Sequence, residues 1–197
     1  MPRQCQRGTR RGHDADVSVE IVFETHSFSE DNERGIATGW LPGRLSERGK
    51  AAAHALGERR REDDVAAVFA SDLQRAVETA AIAFEGTGVP ILLDWRLREC
   101  DYGALNGTDA SELHGRRLDH LDVAYPGGES WRGAVERVHR FLRDVPSRWD
   151  RSRVVVIGHV ATRLAFETFI NDVPLEDLLA EEFVWREGWE YRLDATI

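Results

Sequence analysis

The 197-residue chain is nearly without lysine: Lys50 stands alone among 26 basic residues, and 35 acidic ones leave a formal charge of −9. That balance argues against a general nucleic-acid binder, because phosphate backbones are gripped by clustered basic side chains. Any anionic ligand must be met locally, by a few placed arginines. Cysteine is equally scarce. Cys5 and Cys100 lie far apart and belong to no CxxC or Cys/His ligand spacing, which fits a reduced, cytoplasmic protein. No run approaches the roughly 18–20 apolar residues of a membrane span. Arg10-Arg11 is not followed by the apolar stretch that an export signal needs, so residues 1–17 read as a disordered basic tail ahead of one domain over 18–197.

What the chain does have is alternation. "SVEIVFE" (18–24), "VAAVFAS" (65–71), "VPILLD" (89–94) and "RVVVIGH" (153–159) are short runs rich in Val and Ile that end in polar residues, as core strands do. Between them lie helix signals. Ser46 caps "ERGKAAAHALGERRRE" with arginines at its far end, Ser71 is the expected N-cap of "DLQRAVETAAIAF", a short helix fits 109–120, and "YPGGES" turns into a long helix reaching about 144. "ATRLAFETFI" continues after the 153–159 strand, and "FVWREGWEYRLD" alternates as a last strand or hairpin. Repeated β–α units predict an α/β fold: three layers, α/β/α, with a mostly parallel central sheet.

In such sheets ligands bind beyond the carboxyl ends of the strands. The first predicted strand ends at Thr25-His26, the second at Ser71-Asp72 with Arg75 one turn on, and the fourth at His159. A histidine at a strand end is more often structural than chemical, and Glu99 alone could be a solvated loop carboxylate. Arg75 opposes the helix dipole unless an anion binds at that helix start. Taken together the set has a chemistry. A neutral imidazole attacks phosphorus, arginine donates to phosphate oxygens, a second histidine donates to the equatorial oxygens, and a carboxyl group protonates the leaving alcohol. That scheme uses no metal or other cofactor, and no carboxylate cluster resembles a metal cage.

The ordered blocks "ETHS…N…LSERG", "ASDLQRAVETA", "LRECDYGALNG", "PGGES" and "VVVIGHVATR" resemble the histidine phosphatase superfamily, in its phosphoglycerate-mutase-like branch, over residues 20 to about 165. The resemblance implies a phosphoglycerate-mutase-like fold. It makes His26 the phosphorylated nucleophile, Glu99 the general acid, His159 the second phosphate-contacting histidine and Arg75 a phosphate ligand. Ser29 and Asn32 match polar positions of the family's first loop, and Glu129 and Arg137 match supporting ones. The chain departs from the pattern at Thr25 and Ser27, where the family signature reads Arg-His-Gly, and at Val160, where many members carry glycine. Thr25 thus stands where a phosphate-clamping guanidinium is expected, and Arg44 or Arg163 would have to substitute for it.

The resemblance implies a phosphomonoesterase acting on a small-molecule phosphate ester through a phosphohistidine. A mutase is disfavoured because the segments after Tyr102 are too short for mutase-type capping insertions. The alternative is a fold relative without phosphatase activity, either a binding or regulatory protein or an enzyme using the same His/His/Glu set on a substrate lacking phosphate. The expected partner is a small molecule, with no nucleic acid and no membrane; a homodimer is left open.

Overall fold

The β-branched runs pair side by side because each is apolar on both faces and can be buried only between two helical layers. The computed structural model describes residues 18–194, so the expected basic tail at 1–17 lies outside it. In chain order the elements are β1 (Ser18–Thr25), α1 (Glu30–Glu33), β2 (Ile36–Ala37), α2 (Glu47–Arg60), β3 (Val65–Ala70), α3 (Gln74–Ala83) and β4 (Ile91–Leu93). There follow β5 (Thr108–Asp109), α4 (Ala110–Gly115), α5 (Trp131–Asp144), β6 (Arg153–Gly158), α6 (Val160–Ile170), α7 (Leu175–Ala180) and β7 (Trp189–Asp194). Five strands form one sheet in the order β4-β3-β6-β1-β7. All its pairs are parallel except β1 with β7.

Alternation along the strands sorts the core into two layers. Ile21, Phe23, Phe69, Val154 and Val156 face α5 and α6, joined there by Phe141 and Phe166. Val22, Val68, Ala70, Val155 and Ile157 face the other way, onto Leu56 of α2 and Ala76 and Ala80 of α3. The expected three-layer, mostly parallel architecture is therefore the observed one. β6 sits at the centre, and its register sets Thr25 beside Gly158, so His26 and His159 leave the sheet side by side. Gly158 is needed there, because a Cβ would come within 2.5 Å of Thr162 Oγ1.

Three local expectations change. Ser71 does not cap α3; its hydroxyl accepts from the Leu73 amide, and Leu73 occupies the cap position, so the helix starts at Gln74. The 109–120 segment divides into α4 and a 3-10 turn at Arg117–His120. The last strand begins only at Trp189, since Gly188 at φ +83° breaks the extension of the residues before it.

Candidate active site

His26 follows β1 directly, and its amide donates to the Gly158 carbonyl at 2.9 Å, so the loop leaves the sheet at a fixed angle. The next amide, of Ser27, donates to Thr79 Oγ1 at 3.0 Å, while the Thr79 hydroxyl donates to the Arg75 carbonyl at 2.7 Å. Thr79 thereby ties the histidine loop to the helix that carries Arg75. Its signal in the sequence was slight: a threonine one helical turn after the arginine, on the buried face.

Arg75 lies in the first turn of α3 and is buried, 2% exposed. Its Nη2 donates to the Gly39 carbonyl at 2.9 Å and lies 3.3 Å from His159 Nδ1, and its Nε lies 3.3 Å from His26 Nε2. Gly39 can present that carbonyl because it adopts φ +54°, a conformation glycine takes readily. The two imidazole rings are 4.9 Å apart.

These contacts fix the tautomers. A carbonyl only accepts, so the 2.7 Å contact of His26 Nδ1 with the Ser27 carbonyl places the proton on Nδ1 and leaves a lone pair on Nε2. A guanidinium only donates, so His159 Nδ1 accepts from Arg75 and its Nε2 carries the proton. Burial, and then the Arg75 charge, lower the His26 pKa to about 3. Burial also holds His159 well below the ordinary histidine value, with Arg75, His26 and Arg137 adding to the effect. Both rings are neutral at pH 7. Two donors in this cluster have no partner: His159 Nε2 and Arg75 Nη1 are buried and unsatisfied. Buried donors left unpaired each cost about 1–3 kcal/mol.

Glu99 reaches the same region from the loop after β4. Its Oε1 accepts from the amides of Cys100 at 2.9 Å and Ala161 at 3.0 Å, and Oε2 from Val160 at 3.3 Å. The carboxylate thus sits on the N-terminus of α6. Burial pushes its pKa up, while those amides and Arg75 pull it down. The loop carrying it is stapled from behind. Arg137, 1% exposed on α5, donates to the carbonyls of Arg96, Arg98 and Glu99 and pairs with Glu129 at 2.8 Å. Trp40 Nε1 donates to the Glu99 carbonyl at 2.6 Å, and Arg98 clasps Asp72 through two contacts. Glu129 and Arg137 therefore position the acid-bearing segment, and Trp40 joins them unforeseen.

The remaining expected residues make other contacts. Ser29 and Asn32 form a reciprocal capping box at the start of α1, each side chain accepting the other's amide at 3.1 Å. None of the hydrogen bonds joining His26, Arg75 and His159 involves them. Thr25 is half-buried at the end of β1, beside Gly158. Neither substitute arginine joins the cluster through a hydrogen bond: Arg44 is exposed and paired with Glu30, and Arg163 pairs with Glu167 at 3.4 Å and lies over the Trp189 ring.

Two histidines, an arginine and a carboxylate thus converge beyond the ends of adjoining parallel strands. The chain belongs to the histidine phosphatase superfamily (branch 1), whose pattern matches residues 21–183. Among its relatives is the 2,3-bisphosphoglycerate-dependent phosphoglycerate mutase of Neisseria meningitidis serogroup C, 31% identical over 221 residues covering 91% of this chain and 96% of the mutase. Among solved structures, Bacillus stearothermophilus YhfR superposes with a TM-score of 0.76 at 24% identity, over 86% of this chain and 88% of that one. A mycobacterial glucosyl-3-phosphoglycerate phosphatase superposes with a TM-score of 0.72, also at 24% identity, over 83% and 86%. A sequence relative is thus a mutase, and a protein of the same fold is a phosphatase. No helix among the described residues is long and apolar enough to cross a membrane.

Proposed function

We propose that this protein is a metal-independent phosphomonoesterase that transfers the phosphoryl group of a small phosphate ester to His26 and then to water. The observation that carries the reading is the pair of orphaned donors, Arg75 Nη1 and His159 Nε2, beside the His26 Nε2 lone pair. Phosphoryl oxygens satisfy both donors at once, and the phosphorus then faces Nε2.

In the first step Arg75 Nε passes its hydrogen bond from His26 Nε2 to a phosphoryl oxygen, and the released Nε2 lone pair forms a bond to phosphorus while the bond to the ester oxygen breaks. The leaving oxygen takes the proton of Glu99, whose buried carboxyl has a raised pKa. Oε2, held by one amide at 3.3 Å, is the oxygen free to carry that proton. His26 keeps its Nδ1 proton on the Ser27 carbonyl throughout, which holds the ring in line. In the second step water attacks phosphorus, Glu99 accepts its proton, and the P–N bond breaks with the electron pair returning to Nε2. Arg75 and His159 meet the negative charge on the equatorial oxygens in both steps.

Hydrolysis is preferred over mutase chemistry because the alignment with the Neisseria enzyme spans 221 positions but takes in 91% of this 197-residue chain, leaving about 40 mutase positions without a counterpart. A mutase needs extra walls to retain its intermediate against water. The second reading, a site turned to a substrate without phosphate, rests on Thr25, which supplies no guanidinium. Quenching without acid after a single turnover of labelled phosphate ester decides between them. Label on His26, absent in His26→Ala and formed equally in EDTA, is the expected result. Turnover without label on His26, or turnover abolished by EDTA and restored by one divalent metal, overturns the mechanism. Label that passes to a second substrate hydroxyl instead of water identifies a mutase.

A further inference from the structure

A phosphate monoester loses its second proton at a pKa of about 6, so near neutral pH most of it is a dianion. The charges around the cluster suit a different species. Among the described residues Arg75 is the one cation that hydrogen-bonds to either imidazole, and both imidazoles are neutral. The arginines of the neighbouring elements are engaged elsewhere. On α5 Arg137 pairs with Glu129, on α6 Arg163 pairs with Glu167, and in the loop after β4 Arg98 pairs with Asp72. Arg48, in the first turn of α2, lies over the Phe28 ring, 3.8 Å from its centroid.

On the acidic side, Glu99, Tyr102 and Asp31 all lie close enough to act on the Arg75 charge. Burial pushes the Tyr102 phenol up, which keeps it neutral. Asp31 has no part in the mechanism above, yet it is held in place. It sits half-buried on α1, and its Oδ2 accepts from the Thr38 hydroxyl at 2.9 Å. Thr38 is buried and precedes Gly39, whose carbonyl takes the Arg75 Nη2 bond. The carboxylate is thus fixed one residue from the arginine's own anchor. With Glu99 protonated as the acid, Arg75 and Asp31 cancel, and Thr25 supplies no further positive charge. A dianion would bring two uncompensated charges into this site and a monoanion one, and buried charge without a partner is costly.

We propose that the site takes its phosphate ester as the singly charged monoanion, and that Asp31 is the residue that excludes the dianion. This rests on the phosphomonoesterase reading and narrows its substrate to esters that keep one proton on the phosphoryl group. That proton stays on a nonbridging oxygen through transfer to His26 and through hydrolysis, and leaves in dihydrogen phosphate. Asp31 acts by charge alone and takes no part in bond making.

The test is calorimetric binding to the full-length protein of two ligands that cannot be hydrolysed there. Methylphosphonate exchanges its second proton near neutral pH, whereas sulfate carries both charges throughout. Sulfate affinity registers titrations of the protein alone, so the ratio of the two affinities isolates the proton on the ligand. In wild type sulfate should bind weakly, and the ratio of phosphonate to sulfate affinity should fall about tenfold per pH unit above the phosphonate's second pKa. Asp31→Asn, which keeps an acceptor for the Thr38 hydroxyl, should strengthen sulfate by about tenfold, the effect of removing one like charge from a partly buried site, and flatten the ratio. A ratio already flat in wild type, sulfate binding unchanged in a folded Asp31→Asn protein, or no phosphonate binding at any pH overturns the proposal. None of these readouts needs turnover. Charge-selective binding in a protein that never labels His26 would sink the phosphohistidine mechanism alone, and a labelled His26 with a flat ratio would sink the charge selection alone.

Discussion

Acidification should destabilise this protein through its two neutral imidazoles. His26 is held at about 3 and His159 well below its ordinary value, so from about 6.5 downward the unfolded chain binds two protons that the folded chain refuses. Their contribution is fully favourable to folding above about pH 6.5 and is lost as pH falls through that window. For His26 the difference between pH 7 and pH 5 is about 2 kcal/mol, from the free energy of protonating an ordinary histidine in the unfolded state, and His159 adds a loss in the same direction. A typical total stability is about 5–15 kcal/mol. Urea unfolding at pH 7 and pH 5 should show the loss in wild type. His26→Asn and His159→Asn, which keep a polar group and remove the titration, should each recover part of the pH-dependent loss. The carboxylates titrate alike in all three proteins and cancel, as does any destabilisation already present at pH 7. If both variants lose as much stability between pH 7 and pH 5 as wild type does, the rings are not held neutral and the tautomer assignments behind the mechanism fail with them.

Other outcomes follow from the same geometry. Glu99→Gln should slow alkyl phosphates far more than aryl phosphates, whose leaving groups depart unprotonated; equal slowing would leave Glu99 a positional role as the cap of α6. Arg137→Met strands the Glu129 carboxylate and frees three carbonyls, so it should lower stability by about 3–5 kcal/mol in denaturant melts and reduce kcat more than it raises KM. A variant with unchanged stability would show that the staple is idle. Thr25→Arg should raise aryl phosphatase activity by one to two orders of magnitude, the worth of a charge-assisted contact of roughly 1.5–3 kcal/mol. If no activity improves in a folded variant, the pocket differs from the family's at more than this residue.

The sheet was legible because its strands are continuous apolar runs closed by polar residues, and β1, β3 and β6 fall within one residue of the expected bounds. The cluster was legible for the same reason: strand ends are where parallel sheets expose side chains, and three of them carried His26, Arg75 and His159. Contacts made by the main chain were not legible. Nothing in the composition says that the Gly39 carbonyl receives Arg75, or that the Glu99 carboxylate settles on α6. Ser29 and Asn32 were expected in the first loop through the resemblance alone, and the capping box that joins their side chains is a second arrangement the sequence did not single out. The two-residue pairing of β2 with β5 and the short helix α7 had too few residues to show a period.

The strand that delivers His26 has a consequence for how the protein is made. β1 ends at residue 25, and both of its neighbours in the sheet, β6 and β7, begin only at residues 153 and 189. As the chain emerges from a ribosome, β1 remains without a strand to pair with until three-quarters of the sequence has been synthesised, and its apolar face waits with it. His159 lies 84 residues beyond Arg75, so a chain that stops short of residue 159 cannot assemble the cluster. Recovery of phosphatase activity on refolding would then report the docking of β6 between β1 and β3, and should lag behind the helical signal.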